Sequence, residues 1–163
     1  MKLQPTTYNL QPSKGFTLIE LLVVIAIIGL LASVVMVAMG NARLKARDTR
    51  RLADMQQIKS GMDIYYSQGS GYPDTATVAA SQTAGSQLSC SGEVVMRFPQ
   101  DPFNLGNASF AYTYTSGGST SSGCGGTVYS NYKIQFQTEG LTSLGPANTY
   151  YVSPSGISTT APF

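Results

Sequence analysis

The chain has 163 residues, of which only 11% are charged, and its 10 basic and 8 acidic side chains leave a formal net charge of +2. It contains no histidine, which excludes histidine-based catalytic triads, histidine general bases and histidine metal sites. The length leaves room for one modest globular domain beside a membrane segment, and the small positive charge gives no indication of a nucleic-acid partner.

The first predicted element is an apolar helix near the N-terminus. It follows a polar stretch, Met1–Gly15, that contains two lysines and two prolines. From Phe16 to Met39 the only charged residue is Glu20. As a helix this run would extend about 36 Å, enough to cross a hydrocarbon core of about 30 Å. We therefore predict a membrane-spanning helix at residues 16–40.

The start of this helix, KGFTLIELLVVIAIIG, carries a specific pattern. A short basic leader ends in Gly15, Phe16 follows, and Glu20 is the fifth residue after the glycine. The pattern resembles the N-terminal signature of type IV pilins and type II secretion pseudopilins. The resemblance implies that residues 1–15 are a leader peptide, which a membrane prepilin peptidase removes by cleavage between Gly15 and Phe16. It also implies N-methylation of the new N-terminus at Phe16.

Glu20 is a candidate assembly residue. A carboxylate inside an apolar segment costs a few kcal/mol, so its presence indicates a function. Cleavage after Gly15 would create an ammonium group on Phe16, one helical turn away, with which the carboxylate can pair. The resemblance implies a second possibility, in which the ammonium belongs to the neighbouring subunit and the pair sets the register of a filament. The alternative is that Glu20 lies at headgroup depth and only snorkels.

Residues 41–67 are predicted to continue the helix with an amphipathic pattern. Apolar residues recur at steps of three and four, which is the spacing of one buried face. They are Leu52, Met55, Ile58, Met62 and Tyr65. Two opposite-sign pairs four residues apart, Arg50 with Asp54 and Lys59 with Asp63, are expected to support the exposed face.

A basic cluster occupies the first part of this amphipathic segment. Its members are Arg43, Lys45, Arg47, Arg50 and Arg51. The positive-inside rule alone would place this side of the membrane in the cytoplasm, since the leader has only two lysines. The pilin-type leader and a predicted disulfide, which both place the C-terminal domain outside, take precedence. A solvated helix face is the simplest interpretation of the cluster, and subunit contacts, lipid headgroups or nucleic acid are the alternatives.

Residues 68–163 are predicted to form a small extracytoplasmic domain. The glycines and proline of Gln68-Gly-Ser-Gly-Tyr-Pro73 are expected to end the helix. Ser67–Gly92 has no periodicity and is predicted to be a loop, with a short helical turn at Asp74–Ala80. Three alternating segments rich in aromatic residues are predicted strands, at Phe110–Thr115, Val128–Gln137 and Thr149–Ser153. Short turns between them favour a small antiparallel sheet that packs on the helix.

The two cysteines, Cys90 and Cys124, lie in a stretch rich in Ser, Gly and Thr. We expect a disulfide rather than a metal site, because zinc would need further ligands nearby. Two free buried cysteines are the alternative. A disulfide would also indicate an oxidising compartment. Asn107-Ala-Ser109 matches the N-glycosylation pattern, which is common by chance.

Two further patterns resemble pseudopilins. Tyr66 followed by Gly71-Tyr72-Pro73 resembles the helix exit of many pseudopilins. Pro99-Gln-Asp-Pro102 followed by Tyr112 and Tyr114 resembles the major type II secretion pseudopilin. The resemblance implies an α+β, type IV pilin-like fold, in which a long N-terminal α-helix packs on a small antiparallel β-sheet. Major pseudopilins usually hold calcium through carboxylates in their C-terminal loops. No Asp or Glu follows Glu139 here, so we expect neither a metal site nor a cofactor.

The expected function is that of a structural filament subunit, most simply a type II secretion pseudopilin that polymerises through its N-terminal helix to support protein secretion. The implied partners are copies of itself, minor pseudopilins, the prepilin peptidase and methyltransferase, an inner-membrane assembly platform and membrane lipid. The subunit would cross the bacterial inner membrane once, with its N-terminus in the cytoplasm, before it enters an extracytoplasmic filament.

Two alternatives remain within the sequence. One is a type IV pilus pilin for adhesion, motility or DNA uptake. The other is a minor pilin that takes up DNA through the basic cluster, which would require that the cluster stays exposed. A membrane-anchored enzyme is not expected, because the chain has no histidine, no paired carboxylates and two cysteines that are expected to be bridged.

Overall fold

The computed structural model describes residues 15–82, 87–103 and 110–163. The predicted leader up to residue 14 and the candidate glycosylation sequence Asn107-Ala-Ser109 lie outside the described residues. The chain divides into two compact units, of which one ends at Gly40 and the other is Asn41–Phe163.

The main helix, α1, spans Leu18–Gly69 and includes both predicted helical segments. In the first unit, every side chain that is described from Phe16 to Met39 is exposed. The segment is long and apolar enough to cross a membrane. Within the chain itself, nothing described covers this apolar surface.

The second part of α1 carries the predicted buried face. Met55, Ile58, Met62 and Tyr65 are buried in the hydrophobic core, and the half-buried Leu52 packs against it. This confirms the amphipathic pattern, because the residues that recur at three- and four-residue steps are the ones that lose contact with water.

The expected charge pairs on the exposed face do not form salt bridges among the described residues. Asp54 is buried and accepts a hydrogen bond from the Tyr112 hydroxyl at 2.9 Å, so it does not bridge to Arg50 on the surface. The salt bridges of the described residues do not include Lys59 with Asp63 either. Tertiary packing buries the Asp54 carboxylate, and the hydroxyl of Tyr112, the residue before β4, binds it instead.

A five-stranded sheet is built around one long central strand. The strands are β1 (Tyr72–Pro73), β4 (Thr113–Gly123), β5 (Gly126–Gln137), β6 (Thr149–Ser153) and β7 (Gly156–Ser158). β4 pairs with β5 along one edge, whereas β1 and β6 pair with different halves of its other edge, and β7 pairs with β6. All these pairings are antiparallel, as the sequence predicts.

The expected loop between α1 and the sheet contains three short elements. The predicted helical turn is α2 (Thr75–Ser81), whose N-cap Asp74 accepts a hydrogen bond from the Thr77 amide. β2 (Leu88–Cys90) and β3 (Glu93–Met96) form a separate antiparallel hairpin that was not predicted. Strands of three or four residues show too little alternation to be recognised in a sequence rich in small polar residues.

The predicted strands at β5 and β6 are confirmed, and the first predicted strand is displaced. It begins at Thr113 rather than Phe110 and continues to Gly123, through a Ser- and Gly-rich run of low strand propensity. Pairing with β5 compensates for that propensity. Phe110 instead lies in irregular chain, with its ring 4.7 Å from the guanidinium carbon of Arg51.

The core lies between α1 and the sheet, and a disulfide closes one end of it. The buried face of β5 comprises Val128, Tyr132, Ile134 and Phe136. The Cys90–Cys124 disulfide joins the β2–β3 hairpin to the β4–β5 turn, and this confirms the predicted bridge.

The β4–β5 turn also packs closely on the end of α1. A Cβ atom at Gly69 would overlap Cys124 Sγ, and one at Gly123 would overlap the carbonyl of Gly69. Only glycine permits this approach. We call Gly69, Gly123 and Cys124 the glycine clasp.

Candidate functional site

Glu20 takes part in a reciprocal cap at the start of α1. Thr17 donates to Glu20 Oε2 from its backbone amide at 2.8 Å and from its hydroxyl at 2.7 Å. The Glu20 amide donates in return to Thr17 Oγ1 at 3.3 Å. This capping box satisfies amide donors that the first helical turn leaves unpaired. The spacing of Thr17-Leu-Ile-Glu20 is the sequence signature of a capping box. The charge of Glu20 alone does not indicate it.

The cap leaves one carboxylate oxygen free. Among the described residues, Glu20 Oε1 accepts no hydrogen bond, because both Thr17 donors go to Oε2. The predicted cleavage position beside it is open: Phe16 is 89% exposed, and no other part of the described chain lies within 4 Å of a Cβ placed on Gly15. The start of α1 therefore presents an accessible peptide bond and an acceptor that can receive a further donor.

The basic cluster does not form a single solvated face. Arg51 is fully buried, and its guanidinium contacts three carboxylates, with nitrogen–oxygen distances of 2.6 Å to Asp101, 2.7 Å to Asp48 and 2.7 Å to Glu139. Arg47 is half-buried and binds both oxygens of Glu139, at 2.7 and 2.5 Å. We call these five residues the buried arginine cluster. The interpretation as a solvated face is wrong for its two arginines.

The ion pairs shift the pKa values of Arg51 and Glu139 in the directions that keep both side chains charged. Burial alone would lower the pKa of Arg51, but hydrogen bonds to Asp101, Asp48 and Glu139 outweigh it, and the pKa is raised. The hydrogen bonds from Arg47 hold the pKa of Glu139 below its ordinary value, against the opposing effect of burial. Each buried charge is therefore compensated by an opposite charge in direct contact.

The cluster ties the β5–β6 loop, residues 138–148, to α1. Asp48 accepts hydrogen bonds from the backbone amides of Glu139 and Gly140, at 3.0 and 2.8 Å. The Phe103 ring lies 5.1 Å from the guanidinium carbon of Arg47, a distance typical of cation–π contacts. The arrangement fixes the loop beside the helix and has no feature of a catalytic site.

The carboxylates of this region converge on an arginine. Within residues 15–82, 87–103 and 110–163, no group of three or more Cys, Asp or Glu side chains has the arrangement of a metal site. Asp48, Asp101 and Glu139 do come together, but Arg51 occupies the space between them.

The chain is similar to a family model and to known proteins of bacterial type II secretion. Residues 10–36 match the family described as the prokaryotic N-terminal methylation motif. The chain is 34% identical to type II secretion system core protein G of Klebsiella pneumoniae over 100 residues, which are 58% of this chain and 71% of that protein. It is 31% identical to core protein G of Vibrio cholerae over 100 residues, 58% of this chain and 68% of that protein.

A fimbrial protein is also similar. Fimbrial protein Q of Moraxella bovis is 32% identical over 98 residues, which are 60% of this chain and 62% of that protein. No solved structure matches the chain.

Proposed function

We propose that this chain, which belongs to the pseudopilin family of type II secretion system core protein G, polymerises through its N-terminal helix into a filament. The filament supports protein secretion. Before assembly the same helix anchors the subunit in the inner membrane. A type IV pilus pilin is less favoured, because the matches cover more than two thirds of core protein G from Klebsiella pneumoniae and Vibrio cholerae but only 62% of the fimbrial protein.

The observation that carries the proposal is the bare apolar surface of the first unit. All described side chains from Phe16 to Met39 are exposed, and Glu20 is the only charged residue among them. In water such a surface would be strongly unfavourable, so it requires lipid or other apolar helices around it. Lipid supplies this cover in the membrane, and helices of neighbouring subunits supply it in a filament.

Glu20 gives the assembly its register. Cleavage between Gly15 and Phe16 would create an ammonium group on Phe16, and the free Oε1 of Glu20 is the acceptor for it. Because an unpaired carboxylate is costly in an apolar environment, a neighbouring copy that brings its ammonium to this oxygen is favoured over copies in other positions. Thr17 keeps the other oxygen and holds the carboxylate in place.

The proposed processing and topology follow from the same segment. A prepilin peptidase removes residues 1–15 and methylates Phe16, and minor pseudopilins and an inner-membrane assembly platform complete the machinery. The C-terminal domain lies outside, where an oxidising environment allows the Cys90–Cys124 disulfide to form. The conflict with the positive-inside rule is smaller than the sequence alone indicates, because Arg47 and Arg51 are neutralised by ion pairs. The role is structural rather than enzymatic.

The test is the variant Glu20→Ala, expressed in cells with a prepilin peptidase and the secretion assembly platform. We expect normal membrane insertion and an intact disulfide, but no filaments in electron micrographs of sheared cells. Glu93→Ala, which removes an exposed carboxylate from β3, is the matched control and should assemble normally. Intact-mass measurement should show a chain that begins with methylated Phe16. A normal filament yield from Glu20→Ala would contradict the proposed register.

A further inference from the structure

The Cys90–Cys124 disulfide connects two tight turns. Ser91 and Gly92 join β2 to β3, and Cys124 and Gly125 join β4 to β5. All four residues have a positive φ, 51° and 90° in the first turn and 49° and 79° in the second. Two central residues with positive φ are typical of the type I′ turn, in which Asn, Asp and Gly are preferred. Cys90 directly precedes the first turn, whereas Cys124 is itself a central residue of the second.

Cysteine is an unfavourable residue for the position of Cys124. A left-handed backbone lowers the population of most residues that carry a Cβ about tenfold. The strand before the turn gives little support, because β4 is rich in Ser and Gly and its register with β5 shifts between Gly117 and Thr120. Neither the turn residue nor the strand therefore favours the closed conformation of residues 119–127, which we call the hairpin tip.

The disulfide attaches the hairpin tip to the end of α1. In the glycine clasp, the sulfur of Cys124 packs on Gly69, and the backbone at Gly123 packs on the Gly69 carbonyl. The other half of the bridge, Cys90, is only 2% exposed and belongs to the β2–β3 hairpin, whose Met96 packs on α1. The bridge thus joins the tip to a hairpin that has its own contact with the helix.

Another part of the sheet is held by different contacts. Residues 134–137 of β5 pair with residues 149–152 of β6. The backbone amides of Glu139 and Gly140 tie the following loop to Asp48 of α1. Neither cysteine takes part in these contacts, so they can persist when the bridge is open.

We propose that the Cys90–Cys124 disulfide is a redox-sensitive latch for the hairpin tip. The closed latch holds the tip against the end of α1. Reduction lets the tip open locally, while the pairing of β5 with β6 remains. Because disulfides persist in oxidising compartments, the latch would close in a subunit whose C-terminal domain lies outside the cytoplasm. This last consequence rests on the proposed topology, whereas the latch itself does not.

The latch opens by thiol–disulfide exchange with a dithiol. A thiolate of the dithiol attacks the sulfur of Cys124, because Cys124 is half-buried whereas Cys90 is almost fully buried. The sulfur–sulfur bond of the bridge breaks, and Cys90 leaves as a thiolate that takes up a proton. The second thiolate of the dithiol then attacks the mixed disulfide and releases Cys124, which is protonated in turn. Two electrons and two protons pass to the two cysteines, and the dithiol is oxidised to its own disulfide.

Hydrogen exchange measured by mass spectrometry tests the latch in the full chain in detergent. One sample is treated with reduced dithiothreitol, and the matched control is treated with its oxidised, cyclic form. We expect the amides of residues 119–127 to exchange at least about tenfold faster after reduction, the factor set by the disfavoured turn residue. Residues 134–137 and 149–152 should stay protected over the same labelling time.

Two double variants separate the effect of the bridge from that of the turn. Cys90→Ala with Cys124→Ala removes the bridge and leaves a disfavoured residue in the turn. Cys90→Ala with Cys124→Asn removes the same bridge but supplies a residue that type I′ turns prefer. We expect the tip to exchange about fivefold more slowly in the variant with Cys124→Asn. Protection of residues 134–137 shows that the domain of each variant is folded.

Three results would overturn the proposal. The first is unchanged exchange of residues 119–127 after reduction. The second is equally fast exchange of residues 119–127 and 134–137 in the reduced chain or in both double variants, which would show that the bridge holds the whole domain and not its tip. The third is equal exchange of the tip in the two folded double variants. None of these measurements depends on filament yield, so they test the latch separately from the proposed function.

Discussion

The substitution Arg51→Met should strongly destabilise the second unit. It keeps an unbranched apolar side chain in the space but removes the cation that Asp48, Asp101 and Glu139 surround. The Asp101 side chain is fully buried, so its charge cannot be compensated by water. Removing one partner of a buried ion pair costs about 3 to 5 kcal/mol, against a total stability of about 5 to 15 kcal/mol for a typical domain.

The expected loss corresponds to a fall in Tm of about 9 to 25 °C, since a domain of this size loses about 3 to 5 °C per kcal/mol. Thermal unfolding of the full chain in detergent can be followed by the near-UV circular dichroism of its tyrosines. Nine of the ten tyrosines lie in the second unit and the tenth is Tyr8, so this signal reports mainly on the second unit. Arg50→Met is the matched control, because Arg50 is the exposed neighbour and surface substitutions usually change stability by about 0.5 kcal/mol or less.

Two outcomes would refute the reasoning. If Arg51→Met and Arg50→Met lower Tm equally, burial of the cation has no energetic consequence. The second is a test of coupling: Asp101→Leu in the Arg51→Met background should recover part of the loss, because it removes one of the carboxylates left unpaired. Strictly additive losses in the double variant would show that the two side chains do not act together.

Two further predictions concern the same domain. Combined Cys90→Ala and Cys124→Ala should lower the free energy of unfolding by about 4 kcal/mol in the chain-entropy model for a bridge of sequence separation 34; urea unfolding measures this, and an unchanged midpoint would contradict it. The pKa of Glu139 is lowered from its ordinary value of 4.5, so the stability that this carboxylate contributes is present above that pH and lost as the pH falls through the lowered pKa. The difference in Tm between the wild type and Glu139→Gln should therefore shrink between pH 7 and pH 3, whereas a constant difference would contradict the assignment.

The elements with a long regular pattern were predictable from the sequence. The apolar run after Phe16 and the three- and four-residue steps from Leu52 to Tyr65 extend over many turns, so they predicted α1 and its buried face. Alternation over β5 and β6 was equally clear. The glycine and glutamate around Phe16 indicated the pilin-type signature, and residues 10–36 match the prokaryotic N-terminal methylation motif; the assembly role of Glu20 stays a prediction.

The buried arginine cluster was not predictable by the same means. Arg50 and Arg51 are neighbours of the same type in one basic run, and only one of them is buried. The difference arises from partners far along the chain: Asp101 lies 50 residues from Arg51, and Glu139 lies 92 residues from Arg47. Local patterns do not contain that information. The capping box was predictable, since Thr17 and Glu20 have the required spacing.

The attachment of α1 at both ends of its buried stretch has a mechanical consequence. The ion pairs of Arg51 hold it near one end, and the glycine clasp holds it at Gly69, 18 residues or about 27 Å further along. A pull applied along the helix axis is thus shared between two separated anchors, one ionic and one braced by a covalent bridge. The sheet is therefore expected to move with the helix as one body, because it is attached at both ends of the buried stretch.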